Sequence, residues 1–196
     1  MRLEVHGLEH FPKSGAVVIA SNHVTGYDPP LVGCQAPRAC YYMAKKELFD
    51  HKLLRALIRF YRAIPIDRRK PSIQTIREVK RTLEKNGTIL MFPEGTRTRD
   101  GYLQRPKDGI GLLLTQANAA VVPVYISGLF GKKAGFRLRP EVKIDFGKPV
   151  DLNEMIDANT PKRERYAAIA DCVYDGIRTL ALAREPERVL DKTEEQ

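Results

Sequence analysis

Several things are scarce in this 196-residue chain, and each scarcity removes a class of protein. There are three cysteines, Cys34, Cys40 and Cys172, odd in number and with no CxxC pair, which excludes a disulfide framework and a zinc site and fits a reducing cytosol. No run of about 18 apolar residues is available to span a bilayer, and no charged-then-apolar signal peptide opens the sequence. No serine or cysteine sits in a G-x-S-x-G elbow, so no covalent intermediate on an elbow nucleophile is expected. The glycines of Gly128-Leu129-Phe130-Gly131-Lys132-Lys133 lack Walker spacing. Zinc-finger and RNA-binding signatures are missing, so nucleic acid is not an expected partner. Internal repeats, low-complexity tracts and long linkers are missing as well.

Acidic residues are also in deficit. The net charge is +9, and the segment from Lys45 to Lys85 carries thirteen Lys/Arg against five Asp/Glu, or +8 of that excess. Such a patch is either a solvated face or a surface for phosphate-rich partners. Within it, residues 52–62 have helical periodicity, with Leu53, Leu54, Leu57, Ile58 and Tyr61 on one face and Lys52, Arg55, Arg59 and Arg62 on the other. An amphipathic helix of this kind packs on a core, and its basic face also suits an anionic membrane surface.

What is present in quantity is short apolar runs. Ala16–Ala20, Ala39–Ala44, Thr88–Phe92, Ala120–Ile126 and Val142–Phe146 read as strands, alternating with helices at 29–34, from the cap Ser72 to a close at Asn86-Gly87, after Lys107 and after Thr160-Pro161. The expected fold is a single-domain αβα sandwich with a largely parallel mixed sheet. Its active site should lie at the strand carboxyl ends, the domain should run over residues 1–184, and residues 185–196 should form an acidic, flexible tail. Residues 1–15 read as a lead-in, and Pro123 inside a strand implies an edge position or a bulge.

Two stretches that follow strands carry chemistry. In Ser21-Asn22-His23-Val24-Thr25-Gly26-Tyr27-Asp28-Pro29, the five-residue step from His23 to Asp28 turns the two side chains about 140° apart on a helix and to opposite faces on a strand. They meet only if the segment bends, and Gly26 offers φ > 0 for the bend. If they meet, Asp28 orients His23 as a general base; the alternative is that Asp28 caps the helix that Pro29 opens. In Pro93-Glu94-Gly95-Thr96-Arg97-Thr98-Arg99, a glycine turn with two arginines can present N–H groups and guanidinium forks to a phosphate, or can be an ordinary surface turn.

Together these stretches resemble a known family. Asn22-His23-Val24-Thr25-Gly26-Tyr27-Asp28 matches N-H-x-x-x-x-D, and Phe92-Pro93-Glu94-Gly95-Thr96-Arg97 matches F-P-E-G-T-R. Ile64-Pro65-Ile66-Asp67-Arg68 and Val122-Pro123-Val124 match two weaker blocks in the same order. The chain resembles the glycerolipid acyltransferases, above all the bacterial 1-acylglycerol-3-phosphate acyltransferases, from about residue 11 to residue 146. The resemblance implies acyl transfer from acyl-CoA or acyl carrier protein to the sn-2 hydroxyl of 1-acylglycerol 3-phosphate, with no cofactor and no metal. It implies His23 as general base with Asp28 orienting it, and an acceptor site of Arg68, Glu94, Gly95, Thr96, Arg97 and Lys107. Many family members carry a membrane-spanning or two-helix segment before the histidine, and this sequence has almost nothing there. Attachment is therefore expected to be peripheral, on the inner face of the cell membrane, from a cytoplasmic location. The rivals are a different acceptor (glycerol 3-phosphate, a lysophospholipid or an amino-acid lipid), a hydrolase using the same pair, and a non-enzymatic protein bound to acidic lipid.

Overall fold

The computed structural model describes residues 2–51, 55, 56, 58, 62–67, 72–107, 109–115, 118–131, 141–150, 152 and 160–189. Seven strands form one sheet among them: β1 (Arg2–His6), β2 (Ala16–Ser21), β3 (Cys40–Lys45), β4 (Ala63–Ile66), β5 (Thr88–Met91), β6 (Ala119–Ser127) and β7 (Glu141–Phe146), in the order β1-β7-β6-β2-β5-β3-β4. The β6–β7 pair is antiparallel and every other pair is parallel. The helices are α1 (Asp28–Gly33), α2 (Ile73–Glu84), α3 (Gly109–Leu114) and α4 (Lys162–Arg184).

The layers follow from the strand alternation. β2 is buried at every position, and its side chains divide between two cores. Val18 and Ala20 join Val79 and Leu83 of α2, Leu113 of α3 and Ile169, Val173 and Ile177 of α4 on one face. Val17 and Ile19 join Phe11, Val32 of α1, Val124 and Ile144 on the other. A strand buried on both faces needs a continuous apolar sequence, which Ala16-Val17-Val18-Ile19-Ala20 supplies. Each fully buried aliphatic side chain contributes roughly 1.5–3 kcal/mol.

α2 has the boundaries its sequence predicts. Ser72 Oγ accepts the Thr75 N–H at 3.1 Å, and Asn86 takes φ 58° so that the Gly87 N–H reaches Thr82 O at 2.9 Å. Pro123 lies on an interior strand, since β6 sits between β7 and β2, so the edge alternative is corrected. The bulge alternative holds. Val124 pairs with Phe146 and Val121 with Val150, which sets one more residue on the β7 side than on the β6 side of that interval. Pro123 therefore needs no ladder N–H, and its carbonyl takes the Gly147 N–H at 2.8 Å.

Two further differences from the sequence reading concern boundaries. Residues 2–6, read as part of a lead-in, form β1, which pairs with β7 from Arg2↔Glu141 to His6↔Asp145. Residues 185–189 stay on the domain: the Glu185 carboxylate accepts the Tyr125 hydroxyl at 2.9 Å, and Arg188 O accepts the Leu103 N–H at 2.8 Å. Most of the basic helix expected at 52–62, and Arg68 with it, lies outside the described residues.

Candidate active site

The carboxyl ends of β2 and β5 adjoin, with Ala20 in register with Met91, so the segments that follow them meet. Asn22 fastens the first segment. Its amide forks onto the end of β6, donating to Ile126 O at 3.0 Å and accepting the Ile126 N–H at 2.8 Å. Both main-chain groups of His23 are taken by the segment after β5. Its N–H donates to Glu94 Oε1 at 3.2 Å, and its carbonyl accepts the Thr98 N–H at 2.9 Å. The imidazole stacks on Phe92, with centroids 4.0 Å apart and planes 20° from parallel.

Asp28 reaches back to this imidazole. Its Oδ2 lies 2.8 Å from His23 Nδ1 and also accepts the N–H groups of Val24 at 2.6 Å and Thr25 at 2.8 Å. Its Oδ1 accepts the Thr25 hydroxyl at 2.6 Å. Asp28 is fully buried and His23 is 5% exposed. The other three groups on Asp28 are donors, so the carboxylate is the acceptor throughout and Nδ1 carries the proton, leaving Nε2 with its lone pair. The capping alternative is thereby corrected: α1 begins at Asp28, and the side chain turns upstream to residues 23–25, away from the amides of its own helix. The role given to Gly26 is corrected too, since it is not among the residues with positive φ. The bend is a turn through Thr25–Tyr27, held by the Thr25 hydroxyl, which accepts the Tyr27 N–H at 3.1 Å while donating to Asp28.

The turn after β5 does need its glycine. Gly95 has φ 69°, and a Cβ there would stand 2.9 Å from Lys107 Cδ, so the Lys107 stem lies against it. The Lys107 N–H donates to Pro93 O at 3.0 Å, which ties the approach to α3 to the same turn. Arg97 is exposed and its Nη1 lies 3.8 Å from where a Gly26 Cβ would be, which places a guanidinium beside the His23 loop. Thr96 is exposed at the rim. The structure thus brings His23, Asp28, Glu94, Gly95, Arg97 and Lys107 to one end of the sheet, while Arg68 is outside the described residues.

Glu94 is the most perturbed group here. It is 4% exposed, and burial pushes its carboxyl up to about 8; the His23 N–H opposes this rise and the Asp28 charge adds to it. Its Oε2 is buried and makes no hydrogen bond of ordinary geometry, the Gln104 N–H acting on the carboxylate only weakly. A narrow cleft beside it is walled by Val24, Tyr102, Leu103, Leu129 and Phe130. Asn22, Thr25 and Phe92 position the pair, and the sequence assigned them no such part. The signal for Asn22 was its place beside His23; its partner Ile126 is far along the chain.

Among the described residues, no group of three or more His, Cys, Asp or Glu gathers as a metal site. No described helix is long and apolar enough to cross a membrane.

A doubly covered α/β sheet with a His–Asp pair and a cationic rim at the strand carboxyl ends defines a three-layer α/β class of protein. The profile of the family described as Acyltransferase matches residues 2–127. The chain is 33% identical over 190 residues to the 1-acyl-sn-glycerol-3-phosphate acyltransferase of Limnanthes douglasii, covering 94% of this chain and 65% of that protein. It is 30% identical over 180 residues to the protein of the same name from Bacillus subtilis, covering 91% and 87%. The crystal structure of the 1-acyl-sn-glycerophosphate acyltransferase PlsC from Thermotoga maritima superimposes with a TM-score of 0.69 at 25% identity, over 91% of this chain and 72% of that one. The chain belongs to the acyltransferase family, and it spans about two thirds of the length of its plant relative.

Proposed function

We propose that this protein transfers an acyl group from acyl-CoA or acyl carrier protein to the sn-2 hydroxyl of 1-acylglycerol 3-phosphate, forming phosphatidic acid. The observation that carries the reading is the buried Asp28 with Oδ2 on His23 Nδ1. His23 Nε2 takes the proton of the acceptor hydroxyl as its oxygen attacks the thioester carbonyl. The tetrahedral adduct then collapses, the C–S bond breaks, and the thiolate leaves and receives the proton. Thiolate is a good leaving group, so no strong acid is needed. Arg97, with Arg68 and Lys107, holds the acceptor phosphate, and Glu94, Gly95 and Thr96 shape the turn that presents it. The names of the relatives from Limnanthes and Bacillus support this acceptor. The protein works as a peripheral enzyme at the inner, anionic face of the cell membrane.

The test is thiol release from palmitoyl-CoA with lysophosphatidate, glycerol 3-phosphate or lysophosphatidylcholine supplied in turn. Fastest release with lysophosphatidate, abolished in His23→Ala, is the expected result. Preference for another acceptor reassigns the substrate. Free fatty acid without acylated lipid points to hydrolysis, and full turnover in His23→Ala removes the mechanism.

A further inference from the structure

The amino ends of β3, β4 and β5, at the far end of the sheet from His23, surround a cavity of about 480 Å³. Four cations line it, Arg38, Arg62, Arg81 and Lys85, against one carboxylate, Glu78. Basic residues in the last turn of a helix are ordinary, and Arg81 and Lys85 alone would signify nothing. Here, however, Arg38 precedes β3 and Arg62 precedes β4, so three separate segments converge their charges on one concavity. Arg81 and Lys85 are four apart on or just past α2, a spacing at which like charges repel.

The cavity is built, too. Arg38 donates from Nη1 to Gly15 O at 2.7 Å and from Nη2 to Asn86 O, which fixes its guanidinium plane while three of its five N–H donors remain for a ligand. The Arg62 guanidinium lies 5.6 Å over the Tyr41 ring, also in the wall. The carbonyls at the end of α2 do not present bare negative dipoles, because Thr82 O and Leu83 O accept the Gly87 and Asn86 N–H groups. Thr88, 1% exposed in the same wall, has a hydroxyl with no hydrogen-bond partner.

We propose that this cavity binds a soluble phosphate-bearing anion of the size of pyrophosphate or a sugar phosphate, at a site separate from the one that carries His23. The lining charge is +3, which matches a di- or trianion, and fork-shaped guanidinium donors suit phosphate oxygens. The inference is independent of the acyl-transfer reading.

The experiment is titration calorimetry of the whole protein with sodium pyrophosphate at an ionic strength of about 50 mM, where the Debye length is about 14 Å and surface charge is only partly screened. The wild type is compared with Arg81→Gln/Lys85→Gln, with Arg62→Gln, and with a charge-matched control, Arg2→Gln/Arg163→Gln. A Kd below about 1 mM is expected for the wild type and the control, with weakening of about tenfold in the double cavity variant and in Arg62→Gln. Arg62→Gln keeps the test decisive if the double variant fails to fold. Equal affinity in all four proteins would mean diffuse charge attraction and overturn the proposal, as would no binding by the wild type up to about 10 mM. A parallel arm sediments each protein with phosphatidylserine/phosphatidylcholine vesicles. If the cavity variants lose vesicle binding while the wild type ignores pyrophosphate, the cavity takes a lipid headgroup and the soluble ligand is refuted.

Discussion

Asp28→Asn tests whether Asp28 acts through its charge or only through its shape. Oδ2 accepts the Val24 N–H, the Thr25 N–H and His23 Nδ1, whereas Oδ1 faces only the Thr25 hydroxyl. An asparagine must therefore place its oxygen at the Oδ2 position, because an NH₂ there would meet two fixed backbone donors. Its NH₂ then faces the Thr25 hydroxyl, which can rotate to accept. Nδ1 keeps its proton and its partner, and Nε2 remains the base. What is lost is the negative charge beside the imidazolium that forms during transfer. A charge-assisted hydrogen bond exceeds a neutral one by roughly 1–2 kcal/mol, and the Coulomb attraction at an effective dielectric near 20 is about 4 kcal/mol at this kind of spacing. A loss of roughly 3–4 kcal/mol of transition-state stabilisation means kcat falls about 10²–10³-fold. The assay is steady-state thiol release at saturating acceptor, with circular dichroism and thermal unfolding as controls for folding. Retention of more than about a tenth of kcat refutes a role for the charge. A loss as deep as that of His23→Ala, in a folded protein, refutes the argument that the backbone donors fix the tautomer.

Glu94→Gln should change how stability depends on pH. The folded state holds the Glu94 proton more tightly than the unfolded chain, moving its titration from 4.5 up to about 8, so this group favours folding below 4.5 and its contribution declines as pH rises through 8. In the linkage relation that decline is on the order of 2–5 kcal/mol. The variant's urea midpoint should therefore hold steadier than the wild type's between pH 5 and pH 9 by this relation, and parallel profiles would sink the idea. Asn22→Ala should cost about 2–4 kcal/mol in urea unfolding, since it strands the Ile126 N–H and carbonyl in a buried site; a change below about 0.5 kcal/mol would show that the fork is not holding the loop. Arg97→Ala should raise the acceptor KM about tenfold or more with kcat little altered, and an unchanged KM would take Arg97 out of the phosphate site.

How far the sequence carries these results depends on the range of the interaction concerned. The interior strands were readable because burial on two faces demands unbroken apolar runs, as in Val17-Val18-Ile19. The ends of α2 were readable because Ser72 and Asn86 satisfy local backbone groups. β1 was not readable: Arg2-Leu3-Glu4-Val5-His6 is short and charged, and only β7, far along the chain, makes it a strand. At the site, residue types and spacing pointed to His23 and Asp28, and the reason they meet lies elsewhere than expected. Gly26 was the conspicuous residue, but a hydroxyl one position earlier closes the turn, because it can accept from Tyr27 and donate to Asp28 together. The burial of Glu94 could not be read either, since a Pro-Glu-Gly turn looks solvated until the segments after β2 and β5 close over it.

The position of β1 has a consequence for biogenesis. Residues 2–6 are made before the other six strands, yet the strand they dock on is made last of the seven. Until then they are an unpaired edge, and pairing of such distant segments is slow. Arg2, Glu4 and His6 place charge or polarity on that waiting ribbon, which discourages it from joining a neighbouring nascent chain. Closing the sheet's outer margin therefore has to wait until β7 has been made.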